Sequence, residues 1–135
     1  MGLPMAAKEC VALVIACMDY RFQAPMYAWL NDIGLEGRYD LICFPGASKE
    51  LDQKILDLVR LAVELHKIRE VYVVHHEDCG AYRLAGFQKE QELHAQLEDM
   101  KKAKKRILER YPQLKVRLWF LRLNSKEPEE LGAGD

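Results

Sequence analysis

Short apolar runs alternate with helical patterns along this chain, and this alternation constrains the fold more than any other feature. The first three runs are nearly continuous and rich in Val and Ile, which is typical of strands buried on both faces of a parallel sheet. They are Cys10–Cys17, Tyr39–Phe44 and Glu70–His75. A fourth run, Lys115–Leu123, alternates apolar with polar residues, which favours a strand at the edge of the sheet.

Helical patterns fill the segments between these runs. Apolar residues recur at three- and four-residue spacing through Ser48–Ile68, with Ser48 as a suitable N-cap. Similar patterns cover Ala24–Asp32 and Phe87–Tyr111, and Pro112 ends the last of them. The alternation predicts a single α/β domain with helices on both faces of a mostly parallel sheet. We expect four to five strands, in the order of about 2-1-3-4.

The composition narrows the range of functions. Half of the 135 residues are hydrophobic, 30% are charged, and the net charge is −1, so no concentrated basic surface for nucleic acid is expected. No apolar run approaches the ~20 residues that a membrane-spanning helix needs. The first residues lack the pattern of a secretory signal. We therefore expect no nucleic-acid partner, no membrane insertion and a cytoplasmic location.

The cysteines are interpreted as reduced. They are Cys10, Cys17, Cys43 and Cys79. An even number permits disulfides, but disulfide frameworks are typical of small secreted chains with weak cores. We interpret Cys10 and Cys43 as core or strand-end residues. His66 and His94, which lie in helical patterns, are interpreted as ordinary surface or boundary residues.

Candidate metal ligands stand at the ends of two predicted strands. Cys17 ends the first run, and His76 and Cys79 follow the third. The three would meet at one edge of the sheet if the second and third strands pack on opposite sides of the first, because open parallel sheets form sites at such a point. Two thiolates and an imidazole are ligands that zinc favours. Three protein ligands leave a fourth position open, as in catalytic zinc sites.

The paired motifs resemble those of the β-class carbonic anhydrases. In that family a Cys-x-Asp-x-Arg segment follows one strand and a His-x-x-Cys-Gly segment follows another. The resemblance implies that Cys17, His76 and Cys79 bind Zn²⁺. It implies that Asp19 and Arg21 form a catalytic dyad that orients a zinc-bound hydroxide, and that Asp19 becomes the fourth zinc ligand in a closed state.

The same resemblance implies a function and an assembly. The expected reaction is hydration of CO₂ to bicarbonate, the carbonate dehydratase activity of a zinc lyase, in a homodimer or higher homo-oligomer. The carbonic anhydrase-like domain is expected to cover residues 1–125. The acidic segment 126–135 is expected to form a flexible tail.

Two segments depart from the family's pattern. Tyr20 stands where the family usually has serine, and Phe44–Ala47 replaces a segment that usually reads Arg-Asn-Ala-Gly. The substrate pocket is expected to include Gly46, Ala47 and Gly80, and Gly80 would permit a sharp turn after the second cysteine. The departures leave two alternatives: a zinc-binding protein without hydration activity, or a hydrolase of a related small substrate such as carbon disulfide.

Other interpretations of these residues stay open. Asp19 and Arg21 could form a helix cap and a surface ion pair, and the second motif could be an ordinary loop. A cysteine phosphatase or arsenate reductase would carry arginine after five residues that follow its cysteine, but those positions hold Gln23 and Ala85. His75 is a conceivable proton relay, because imidazole titrates near neutral pH.

Overall fold

Five strands form the sheet of this protein, and the computed structural model describes them within residues 8–132. The strands are β1 (Ala12–Cys17), β2 (Tyr39–Phe44), β3 (Glu70–His76), β4 (Lys115–Leu121) and β5 (Glu129–Leu131). Their order is β2-β1-β3-β4-β5. Strands β1 to β4 are parallel to one another, and β5 is antiparallel to β4. The predicted α/β fold and its strand order are therefore confirmed.

Four helices and one 3₁₀ turn connect the strands. The turn covers Tyr20–Phe22, and the helices are α1 (Gln23–Asp32), α2 (Gln53–His66), α3 (Gly80–Leu84) and α4 (Lys89–Arg110). The start of α2 differs from the prediction, because the Asp52 carboxylate and not Ser48 accepts the capping hydrogen bond from the Ile55 N–H. Within residues 8–132, no helix is both long enough and apolar enough to cross a lipid bilayer.

Different helices cover the two faces of the sheet, because side chains alternate along each strand. On one face, α2 and α4 pack against Leu13, Ile15 and neighbouring strand residues. On the other face, α1 packs through Trp29 and Leu30 against Val14 and its neighbours. The central strands β1 and β3 are buried on both faces, which explains their nearly continuous apolar sequence. The same expectation is wrong for β2, which lies at the edge of the sheet and is only partly buried.

The end of the chain differs from the expected tail. Glu129–Leu131 forms β5, and Arg117 of β4 donates two hydrogen bonds to the Glu130 carboxylate at 2.8 and 3.0 Å. The expectation that β4 lies at the edge is therefore wrong, since β5 covers it. Residues 133–135 of the expected tail, like residues 1–7, lie outside the described residues. The division of the chain at residue 125 stays a prediction.

Candidate metal centre

The candidate metal centre lies at the carboxyl ends of β1 and β3. Strand β2 lies on one side of β1 and β3 lies on the other. The carboxyl ends of β1 and β3 therefore form the switch point at which open α/β sheets bind ligands. Ala16 is in register with Val74. Cys17, the last residue of β1, is therefore level with the end of β3, and this register brings two distant segments together.

Three potential ligands converge at this edge. Cys17, His76 and Cys79 each place one ligand atom within 4.8 Å of the other two, and the two Sγ atoms are 4.0 Å apart. A tetrahedral zinc ion with Zn–S bonds of about 2.3 Å would hold two sulfurs roughly 3.8 Å apart. All three residues are buried. Their spacing therefore needs little change to hold one ion, and their role as ligands stays a prediction.

The imidazole of His76 has one nitrogen available for a metal. Its Nδ1 donates to the carbonyl oxygen of Glu77 at 2.8 Å, which leaves Nε2 as the unprotonated nitrogen of a neutral ring. Among residues 8–132, this buried Nε2 has no hydrogen-bond partner. The ring of Phe22 stacks on the imidazole at 4.1 Å between centroids. A buried polar atom without a partner is costly. A metal ion would be the missing partner of Nε2, so the donor set fits zinc.

The two cysteines share a hydrogen bond that shifts their pKa values in opposite directions. The Gly46 N–H donates to the Cys17 sulfur at 3.4 Å. The hydrogen bond from Cys79, assisted by His76, holds the pKa of Cys17 well below its usual range. The same bond, together with burial, raises the pKa of Cys79. A bound cation would replace the shared proton, because cysteine binds metal as the thiolate.

Asp19 and Arg21 pair beside the sulfurs. The Arg21 Nε donates to both carboxylate oxygens at 3.2 Å, and Nη2 donates to Oδ2 at 2.8 Å. These bonds hold the pKa of Asp19 below its usual range. The Asp19 Oδ2 lies 3.8 Å from the His76 Nε2. Asp19 also caps the 3₁₀ turn by accepting the Arg21 N–H, so the same carboxylate serves as a cap and as an ion-pair partner. The catalytic role of the pair and ligation by Asp19 stay predictions.

Arg21 also joins the two ligand loops. Its Nη1 donates to the Asp78 carboxylate at 3.1 Å, and its Nη2 donates to the Asp78 carbonyl at 2.8 Å. Arg83 pairs with the same carboxylate. Asp78 has a φ of 62°, so the sharp turn of this loop falls there. Gly80 instead begins α3, and its φ lies outside the left-handed region. The expectation that Gly80 makes the sharp turn is therefore wrong.

A buried polar network supports the second ligand loop from behind. The Gln96 Nε2 donates to the His76 carbonyl and to the Glu92 carboxylate, each at 2.9 Å. Glu92 accepts the Cys79 N–H at 2.8 Å, and the Gln96 Oε1 accepts from the His75 Nδ1 at 2.9 Å. Both α4 side chains therefore fix the backbone on either side of the candidate site.

Glu92 and Gln96 were not predicted, although a pattern in the sequence could have revealed them. The two residues stand four apart on α4 and continue into a buried apolar stripe. That stripe consists of Met100, Ala103 and Ile107. Polar residues in register with an apolar helical stripe are expected to be buried, and burial requires them to have partners.

His75 belongs to this network and does not reach solvent. It is 1% exposed. Its Nε2 accepts the Ser48 N–H at 3.2 Å and lies 2.6 Å from the Ser48 hydroxyl. Burial lowers the pKa of His75 to about 4. The suggestion that His75 relays protons is wrong, because the ring is neutral near pH 7 and both nitrogens are occupied by protein groups.

An open depression of about 660 Å³ leads to the sulfurs. Its lining combines the apolar side chains of Met18, Pro45 and Leu84 and the ring of Tyr20 with the charged side chains of Arg21, Asp78 and Arg83. Tyr20 is 84% exposed, so it stands at the rim. Of the expected pocket residues, Gly80 lines the depression, Gly46 donates to Cys17, and Ala47 is buried among the cysteines and Tyr82. Their contact with substrate stays a prediction.

Comparison with known proteins gives the family. A family model described as "Putative carbonic anhydrase" matches residues 7–127. An uncharacterized protein of Rickettsia bellii is 32% identical in an alignment that covers 86% of this chain and 79% of that protein. An uncharacterized protein of Rickettsia conorii is also 32% identical, over 86% of this chain and 69% of its own. The chain therefore belongs to this carbonic anhydrase family, as a divergent β-carbonic anhydrase-like member.

Solved structures agree on the fold. A carbonic anhydrase from Streptococcus mutans superposes with a TM-score of 0.71 at 15% identity, over 98% of this chain and 88% of that one. The β-carbonic anhydrase CafA of Aspergillus fumigatus gives 0.69 at 14% identity, over 95% and 78%. At these identities the likeness shows the fold, and the predicted resemblance to β-carbonic anhydrases is confirmed.

Proposed function

We propose that this protein is a zinc-dependent carbonic anhydrase that hydrates CO₂ to bicarbonate. The observation that carries the proposal is the convergence of two buried sulfurs and one unpartnered imidazole nitrogen, with a carboxylate oxygen 3.8 Å from that nitrogen. The family and the fold support it. Two thiolates, an imidazole and an open approach from solvent suit a catalytic zinc site.

The chain's own residues have distinct roles in this reaction. Cys17, His76 and Cys79 would hold zinc, which supplies the Lewis acidity that lowers the pKa of water to about 7 in favourable sites. Asp19 accepts a hydrogen bond from the attacking water and so fixes its orientation towards CO₂. Arg21 keeps Asp19 ionised, because its hydrogen bonds hold the pKa of that carboxyl low. The proton leaves through the open depression to solvent.

We propose a homodimer or higher homo-oligomer in the cytoplasm. The β-carbonic anhydrases of Sordaria macrospora are described as tetrameric, and one superposes at a TM-score of 0.67 and 16% identity, over 93% of this chain and 82% of that one. Met18, Tyr20 and Leu84 stand exposed around the mouth of the depression. Such exposed apolar side chains suit coverage by a second subunit. Light scattering of the purified chain measures the assembly.

The apolar side chains at the mouth of the depression also favour a second candidate function. Pro45 and Leu84 line the approach, and the Phe44–Ala47 segment offers no polar side chain there. Carbon disulfide is apolar and would enter such a mouth as readily as CO₂. A zinc-binding protein without either activity is the third outcome that an assay must separate.

Stopped-flow CO₂ hydration with the zinc-loaded protein tests the proposal. We expect catalysis that falls by about 10²–10⁴-fold in Asp19→Ala, the range for loss of one acid–base group. Asp57→Ala is the control, because Asp57 is exposed on α2. Cys17→Ser should lose both zinc and activity. Full zinc occupancy without CO₂ hydration at any pH would contradict the proposal, and turnover of carbon disulfide alone would support the second candidate.

A further inference from the structure

A second group of side chains of types that can bind a metal lies at the opposite end of the sheet. Cys10 precedes β1, Asp40 lies near the start of β2, and His66 ends α2. Each places one ligand atom within 4.8 Å of the other two. The proposed function uses none of them. We propose that Cys10, Asp40 and His66 form a second site for a zinc-type divalent cation, which fastens the segment before β1 to β2 and α2.

The geometry of this cluster is close to that of a bound ion. The His66 Nδ1 lies 2.7 Å from the Asp40 Oδ2, and the Cys10 sulfur makes a contact of 3.6 Å with the Ala12 carbonyl. A tetrahedral zinc ion brings its ligand atoms to roughly 3.3–3.8 Å from one another. The cluster therefore needs a movement of about 1 Å, and the partly exposed side chains of His66 and Asp40 can rotate to supply it.

The local electrostatics favour a cation. His66 stands at the carboxyl end of α2, where unpaired carbonyls carry partial negative charge. Asp40 adds a carboxylate. Lys67 already directs its ammonium to the Glu64 carbonyl at 2.9 Å, which neutralises part of the charge at this helix end. The Asp40 carboxylate therefore supplies the main negative charge that a divalent ion would meet.

The donor set indicates which cation fits. One sulfur, one imidazole nitrogen and one carboxylate oxygen favour zinc over magnesium or calcium, which prefer oxygen ligands. Binding would displace the proton between His66 and Asp40 and that of the Cys10 thiol. Because the three residues come from separate segments, a bound ion would join them and raise the melting temperature.

Zinc titration of the full chain under reducing conditions tests the inference. We expect the wild type to bind two equivalents and Cys10→Ser to bind one. Cys43→Ser is the matched control, because Cys43 is an exposed cysteine of β2 outside the cluster, and it should keep two equivalents. Asp40→Asn should weaken the second equivalent at least tenfold.

Cadmium-113 NMR distinguishes this site from the candidate metal centre. Cys10→Ser should remove the resonance of the site with one thiolate and leave that of the site with two, whereas Cys17→Ser should do the reverse. A single equivalent that Cys17→Ser removes and Cys10→Ser retains would overturn the inference and leave the proposed function intact. A second equivalent that survives both Cys10→Ser and Asp40→Asn would also overturn it.

Discussion

Replacing Gln96 with leucine removes the side chain that joins α4 to the second ligand loop. Gln96 is 1% exposed and makes three hydrogen bonds, to the His76 carbonyl, the Glu92 carboxylate and the His75 Nδ1. Leucine has a similar volume, so Gln96→Leu leaves the packing nearly unchanged. The variant therefore isolates the polar network that sequence analysis missed.

The expected loss of stability follows from the partners left without a bond. Each buried group that loses its partner costs about 1–3 kcal/mol. The His75 Nδ1 and the His76 carbonyl each lose the partner that Gln96 supplies, whereas Glu92 keeps the Cys79 N–H at 2.8 Å. We expect Gln96→Leu to lower the free energy of unfolding by about 2–6 kcal/mol, the sum for two such groups. For a chain of this size, the middle of that range corresponds to a fall in melting temperature of roughly 10 °C or more.

Urea denaturation followed by circular dichroism measures the effect, with a chelator present so that bound metal does not contribute. Gln113→Leu is the control, since Gln113 is exposed, and its effect should stay below about 0.5 kcal/mol. A loss below about 1 kcal/mol in Gln96→Leu would refute the argument from unsatisfied buried groups. An unchanged zinc affinity in a destabilised variant would refute the claim that the network positions the ligands.

Three other perturbations have expected outcomes. Gly46→Ala should cost about 2–3 kcal/mol in urea denaturation, because Gly46 has a φ of 75° and a Cβ there would lie 2.8 Å from the Lys49 Cβ. Glu130→Gln should cost about 0.5–1 kcal/mol at pH 7, because Arg117 holds the pKa of Glu130 low. That pair stabilises the fold above the pKa of the unfolded carboxyl and loses its effect as the pH falls through the folded pKa. Chelation of zinc should lower the melting temperature in calorimetry.

Each of these expectations has a control. Gly34→Ala places alanine at a φ of 88° with no atom within 4 Å of its Cβ, so it should cost only about 1–2 kcal/mol. An equal loss in both glycine variants would mean that the contact with Lys49 is unimportant. A stability difference for Glu130→Gln that persists in strong acid would exclude the ion pair as its cause. Calorimetry that gives the same melting temperature with and without chelator would contradict zinc binding.

The sequence contained enough information for the α/β class, because β1 and β3, the strands most buried in the sheet, carry nearly continuous apolar runs. The strand order was a hypothesis about topology, which the structure confirms. It also indicated the two segments that hold the potential ligands. It did not indicate β5, because a three-residue strand with two glutamates has no apolar pattern. The start of α2 was placed too early, because Ser48 and Asp52 are both suitable caps and only tertiary contacts with His75 engage Ser48 elsewhere.

What the sequence alone determined is the order of strands and helices and the chemistry of the residues that follow β1 and β3. Tertiary structure decided which of those residues act together. The 4.0 Å separation of two sulfurs that lie 62 positions apart depends on strand register, and so does the distance from Asp19 to His76. Glu92 and Gln96 acquire their partners only when α4 packs behind the loop. Such contacts join residues far apart in the chain, and local sequence patterns describe only near neighbours.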